Sequence, residues 1–200
     1  MKVIGLCGGS GSGKGVVCSI FRKNGILTID TDAVYRDLTS RPGPLLDELK
    51  GEFGTDIISQ NNSLNRGALA HIVFSSEGSE LKLKKLNEIT HRYILDKTRD
   101  ILKIHREGGE KIGVVDAPVL FESGFDTECD LILSIIADKD TRINRIIDRD
   151  GISRDQAEQR IDSQMSDDEL ISRSDFVIFN NGDLNELSEQ VLLLIQKLNY

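Results

Sequence analysis

No stretch of the chain reaches the roughly 18 consecutive apolar residues that a membrane-spanning helix needs. The run after Met1, Val3-Ile4-Gly5-Leu6-Cys7, is also too short for a signal-peptide core. The sequence therefore reads as a soluble cytoplasmic protein without a membrane partner. Basic charge is in deficit: 25 Lys and Arg stand against 33 Asp and Glu, a formal net charge of −8. Binding to duplex DNA or RNA draws on counterion release at a basic face, so nucleic acid is not expected as a partner. A small anionic ligand in a local basic pocket stays open. Cysteine is scarce. Cys7, Cys18 and Cys129 form no C-x-x-C pair, which argues against a disulfide framework or a zinc site. Cys7 and Cys18 lie in apolar surroundings and read as small buried hydrophobes. His71, His91 and His105 show no metal-ligand spacing and read as surface or packing residues. Internal repeats and low-complexity tracts are missing too.

What is present is an alternation of strand-like and helix-like runs over 200 residues, enough for one core with a small lid. Strands are expected at Val3–Cys7, Ile26–Asp30, Ile112–Val115, Leu131–Ile136 and Phe176–Ile178. Helices are expected at Gly15–Lys23, Ala33–Leu38 and Leu45–Phe53. Ser79 to His105 reads as one long helix or two, and Leu184 to Leu198 as an amphipathic closing helix. The pattern is α/β with a parallel sheet. Residues 142 to 173 hold no apolar strand but carry Arg142, Arg145, Arg149, Arg154, Arg160 and Arg173. Such a segment suits a helical pair forming a mobile lid, or a solvated face with i,i+4 pairs.

The strongest local signal is Gly8-Gly9-Ser10-Gly11-Ser12-Gly13-Lys14, between an expected strand and an expected helix. That context defines a P-loop. Glycines let the backbone turn tightly and aim N–H groups inward, the helix N-terminus adds partial positive charge, and Lys14 reaches the outer phosphates. The pattern continues with Ser or Thr as a magnesium ligand; here Gly15 and then Val16 follow, and neither carries a hydroxyl. Asp30-Thr31-Asp32 closes the second strand, suited to magnesium handling, to proton abstraction from an alcohol, or to capping a helix. Asp116 ends the third strand, at the position of a Walker B carboxylate or of an ordinary strand-to-loop turn. Pro118 stops that strand.

These residues together resemble the dephospho-coenzyme A kinase family. Its G-L-T-G-G-I-G-S-G-K-S-T is matched by Gly5 to Val16, its D-A-D by Asp30-Thr31-Asp32 with Arg36 following, and its D-x-P-L-L-F-E by Asp116 to Glu122, with Val119. Its R-x-x-x-R-D-G is matched by Arg145 and Arg149-Asp150-Gly151. Its A-E-x-R-I-x-x-Q-M is matched by Ala157 to Met165, and its A-D-F-V-I-x-N by Ser174 to Asn180. Departures are Gly15 for the hydroxyl residue, Arg92 after His91 where a proline is usual, and Arg142 where glutamine is frequent.

The resemblance implies a P-loop NTPase-type three-layer fold with a parallel five-stranded sheet. It implies one kinase domain with a core at about 1–40, 110–140 and 174–200, a helical acceptor-binding segment at about 41–109 and a lid at about 141–173. It implies transfer of the γ-phosphate of ATP, with Mg2+, to the ribose 3′-hydroxyl of dephospho-coenzyme A by a monomer. Asp32 would be the base and Lys14 would steady the phosphoryl group. Gly8, Gly9, Gly11, Ser12, Gly13, Lys14, Gly15, Val16, Arg145, Arg149 and Arg160 would hold ATP. Asp32, Arg36, His91, Pro118, Phe121 and Glu122 would hold the acceptor, and Asp30 and Asp116 would hold the metal, largely through water. Two alternatives stand beside this: a nucleotide binder whose catalysis is impaired at Gly15, and a kinase for another nucleoside or nucleotide.

Overall fold

The first strand, β1 (Lys2–Cys7), is buried from Val3 onward without alternation, the mark of a strand covered on both faces. The computed structural model, which describes residues 1–74 and 78–198, places it at the centre of a five-stranded sheet. The order is β2 (Leu27–Asp30), β3 (Ile112–Asp116), β1, β4 (Leu131–Ile136), β5 (Phe176–Phe179). All the pairings are parallel. The chain leaves β1 toward β2 on one side and later fills β4 and β5 on the other. Parallel sheets of this kind bind ligands beyond their carboxyl ends where the strand order switches direction, so the loop after β1 is set where a ligand is expected.

Two compact units form. The first comprises Met1–Asp30 and Ile104–Tyr200, the second Thr31–Lys103. Residues 75–77 and 199–200 of the expected acceptor-binding and core segments lie outside the described residues. In the first unit, α1 (Lys14–Lys23) and α9 (Leu184–Lys197) bury one face of the sheet. Val17 and Phe21 join Ile4, Leu6, Leu133, Leu187 and Val191 in one cluster. Gly5 turns to the other face, where a Cβ would meet Leu120 at 2.8 Å and Cys129 at 2.9 Å. Cys7 and Cys18 are buried as expected.

The arginine-rich segment holds three helices rather than a pair: α6 (Lys139–Asp150), α7 (Arg154–Asp162) and α8 (Asp167–Ser172). Ser153 and Gln156 form a capping box on α7, and Ser166 caps α8 through the Glu169 N–H. These S-x-x-Q and S-x-x-E spacings mark helix starts in the sequence itself.

The second unit consists of α2 (Thr31–Thr39), α3 (Pro44–Phe53), α4 (Arg66–Phe74) and most of α5 (Ser79–Glu107). They pack Leu45, Leu49, Ile57, Leu69, Val73 and Ile89 into a separate core. α2 starts two residues earlier than a cap at Asp32 would allow, so Asp32 lies within its first turn. α4 was not expected from the sequence, although Asn65 Oδ1 accepts the Ala68 N–H at 3.1 Å as a cap does. α5 is one helix of 29 residues; no glycine or proline interrupts it before Gly108-Gly109. Among the described residues, no helix is long and apolar enough to cross a membrane.

Candidate active site

The loop between β1 and α1 is built by close approach. Gly13 sits at φ 104, directly before Lys14, and a Cβ there would fall on Asn180 Nδ2. Gly9 is similarly shut: its Cβ would fall on the Arg142 guanidinium. A side chain at either position would push the loop off its supports. The α1 N-terminus has no side-chain cap and no acidic residue in its first turn. Its N–H groups and partial positive charge are therefore uncompensated by the helix itself, which is the condition for anion binding.

The supports of this loop are polar side chains from distant segments. Asn180 Nδ2 donates to the Ser12 carbonyl at 2.7 Å, Arg142 Nε to the Ser10 carbonyl at 2.9 Å and Arg145 Nη1 to the Gly11 carbonyl at 3.3 Å. Gln164 Oε1 accepts the Ser10 N–H at 2.9 Å. In a trans peptide the C=O and the following N–H point in opposite directions. Holding the Ser10 and Ser12 carbonyls from outside turns the Gly11 and Gly13 N–H groups the other way. Ser12 Oγ is buried with no hydrogen-bond partner among the described residues.

Lys14 Nζ lies 3.6 Å from Asp116 Oδ1, and the Cys18 thiol donates to Asp116 Oδ2 at 3.3 Å. Burial first, and the Asp116 charge second, push the Cys18 thiol well above its usual pKa, so it stays a donor. Asp30 and Asp116 are register partners at the ends of β2 and β3. Among the described residues no three His, Cys, Asp or Glu side chains form a metal cage. Two strand-end carboxylates without a cage fit Mg2+, which keeps several waters and takes few protein ligands. A Cβ on Gly15 would meet nothing within 4 Å, so that position leaves open space where a hydroxyl would stand.

Gly8, Gly9, Pro118, Phe121, Glu122 and Gln164 share a cavity of about 170 Å3. The Arg173 guanidinium stacks on the Phe121 ring at 3.9 Å, a cation–π contact that fixes this wall. Arg149 and Arg160 converge on Asp150, Arg149 Nε at 2.7 Å, with Arg160 pairing to the other carboxylate oxygen. Their hydrogen bonds hold the Asp150 carboxyl down at about 2. Of the three expected lid arginines, Arg145 reaches the loop while Arg149 and Arg160 meet each other at Asp150. Asp32, Arg36 and His91 belong to the second unit, on α2 and α5. Arg142, Gln164, Asn180 and Cys18 were not expected as site residues. Gln164 and Asn180 stand inside motif phrases of the sequence, without a local signal for their contacts.

The sequence profile of the dephospho-CoA kinase family matches residues 2–186. The chain belongs to that family. The dephospho-CoA kinase of Syntrophotalea carbinolica is 35% identical over 198 residues, covering 99% of this chain and 92% of that protein. The solved protein TT1252 of Thermus thermophilus superposes with a TM-score of 0.78 at 27% identity, covering 98% of this chain and 97% of the other. The dephospho-CoA kinase of Campylobacter jejuni shares the fold, with a TM-score of 0.73 at 24% identity and coverage of 98% and 97%. The family's P-loop kinase fold is the α/β parallel sheet described above, and its members are phosphotransferases.

Proposed function

We propose that this protein transfers the γ-phosphoryl group of ATP to the ribose 3′-hydroxyl of dephospho-coenzyme A, giving coenzyme A and ADP. The observation that carries the reading is the braced loop at residues 8–15 with Lys14 beside Asp116, in a chain matching the family from residue 2 to 186. Gly11, Gly13 and the start of α1 offer N–H groups to the phosphates, and Lys14 offsets charge on the transferring group. Asp32, two residues beyond Asp30, accepts the proton of the attacking hydroxyl. The hydroxyl oxygen bonds to the γ-phosphorus as the bond to the β–γ bridging oxygen breaks, and ADP leaves. Asp30 and Asp116 would hold Mg2+, largely through water, and the ion would offset charge on the phosphate oxygens.

In this reading residues 41–109, with Arg36 and His91, serve the acceptor, and Pro118, Phe121 and Glu122 line its neighbouring wall. Residues 141–173 are a lid that excludes water so that ATP is not hydrolysed. The enzyme works as a cytoplasmic monomer on small molecules. A second reading, a nucleotide binder without transfer, draws on the missing hydroxyl at Gly15. The open space around that residue leaves room for a water to serve instead, which favours the active enzyme. The test is ADP release from ATP and Mg2+ with and without dephospho-coenzyme A. Acceptor-dependent release with coenzyme A as product is expected. ATP binding without release would favour the second reading, and release with another nucleoside acceptor only would reassign the substrate.

A further inference from the structure

Arg142 is 3% exposed, which is rare for a charged side chain, and every arm of its guanidinium is used. Nε donates to the Ser10 carbonyl at 2.9 Å, Nη1 pairs with Asp167 Oδ1 at 2.9 Å and Nη2 donates to Gln164 Oε1 at 3.2 Å. A charge is kept in such a place only where it is paired and hydrogen-bonded. The partners come from the phosphate loop, from the connection between α7 and α8, and from the first turn of α8. Gln164 closes the circuit, since its Oε1 also accepts the Ser10 N–H at 2.9 Å and its Nε2 lies 3.3 Å from Ser10 Oγ. The backbone carbonyl of Arg142 itself stands 2.6 Å from where a Cβ on Gly11 would be.

We propose that Arg142 is a positioning residue for the nucleotide. By holding the Ser10 carbonyl on the outer side of the loop it turns the Gly11 N–H toward the phosphates. Through Gln164 and Asp167 it ties that peptide orientation to residues 164–167. The proposal rests on the reading of residues 8–15 as the ATP phosphate site. A purely structural brace would behave differently, because its loss would lower thermal stability and leave nucleotide affinity alone.

The experiment measures ATP binding by titration calorimetry without acceptor, KM for both substrates, and the thermal midpoint. The proteins are the wild type, Arg142→Met, Arg142→Lys and Asp167→Asn. Arg142→Met is expected to raise the ATP Kd about tenfold or more, the scale of a lost charge-assisted hydrogen bond. The KM for dephospho-coenzyme A should stay within about twofold. Arg142→Lys should recover part of the affinity, since an ammonium can reach one carbonyl but cannot reproduce the planar fork. Asp167→Asn, a change at a partly exposed residue, should weaken ATP binding about threefold while the protein stays folded. An ATP Kd within about twofold of wild type in Arg142→Met, with a lowered thermal midpoint, overturns the inference and leaves a brace. Should Arg142→Met not fold, an unchanged ATP Kd in Asp167→Asn overturns it by the same logic. Failure of the wild type itself to bind ATP would instead overturn the kinase reading, and this inference with it.

Discussion

Asn180 Nδ2 donates to the carbonyl of Ser12 across 2.7 Å, joining the end of β5 to the phosphate loop. The Asn180 backbone is itself pinned, its N–H bonded to the Ile136 carbonyl at 2.7 Å. Asn180 is only 5% exposed, so water cannot readily replace the bond. Asn180→Leu keeps the volume and removes the donor. It should cost about 1–3 kcal/mol of stability, the range for a buried acceptor that loses its partner, and should raise the ATP Kd about tenfold. Asn180→Asp should be worse, because a carboxylate facing a carbonyl repels it. Thermal unfolding with ATP titration checks both variants, and wild-type ATP affinity in Asn180→Leu would remove Asn180 from the site.

Gly15 is the second residue of α1 and has open space where a side chain would point. Gly15→Ser therefore fits without a clash and supplies the missing hydroxyl. It should lower the Mg2+ concentration for half-maximal rate, and it should add no more than about 0.5 kcal/mol of stability through helix propensity. The check is initial rate against Mg2+ at saturating substrates. An unchanged or higher requirement would count against a metal-linked role for this position.

The parts of this molecule that could be read in advance are those whose signal is local. A buried strand, a glycine turn, a lysine and a helix stand side by side over residues 3–23, so the phosphate loop was legible in order. The strand-end positions of Asp30 and Asp116 were legible because each ends an apolar run. The loop's supports were not, because their contacts are remote. Arg142 lies 132 positions from Ser10, and Asn180 lies 168 positions from Ser12. An arginine in a polar helix reads as solvated until the chain that covers it is in place. Arg142 thus passed as one of several lid arginines, although it is buried and they are not. The short helices α4 and α8 were missed for another reason. Their caps at Asn65 and Ser166 were visible, but the six residues of α8 hold few turns for a periodic apolar face, and α4 has Gly67, a poor helix former, in its first turn.

Asp150 gathers Arg149 and Arg160, and their hydrogen bonds lower its carboxyl to about 2. A depressed carboxylate contributes stability that is present above its unfolded pKa, near 3.9, and is lost as pH falls through the folded value. The cluster should therefore survive at about pH 4, where an ordinary aspartate is half protonated, and open only as pH approaches about 2. Carboxyl NMR titration of Asp150 is the direct measurement. A midpoint near that of a free aspartate would show that the two arginines do not hold it. Asp150→Asn should free both arginines and shift ATP affinity without abolishing binding.

Burial raises all three thiols: Cys7, Cys18 and, to about 12, Cys129. Reaction with a disulfide reagent needs the thiolate. At about pH 8 an ordinary cysteine, with a pKa near 8.5, is roughly a quarter ionised, whereas these three should be almost wholly protonated. Native protein should accordingly label far more slowly than denatured protein, in which all three cysteines of the sequence react. Fast labelling of the native chain would show that the thiols are not held as this packing holds them.

Asp32 lies in the first turn of α2, where a carboxylate complements the helix dipole. That placement alone would give it a modest stabilising part. The kinase reading asks more, because the attacking hydroxyl needs a group to take its proton. Asp32→Asn separates the two parts, since the amide keeps the shape and can still accept hydrogen bonds but cannot act as a base at neutral pH. Turnover should fall by about a hundredfold or more, the usual worth of a general base, while the ATP Kd stays near wild type. The dipole term is no more than about 1 kcal/mol, so the thermal midpoint should drop only slightly. A variant with near-wild-type turnover would leave Asp32 as a helix-start residue and send the search for the base elsewhere. A variant that loses ATP binding as well as turnover would mean that Asp32 shapes the nucleotide site rather than the proton transfer.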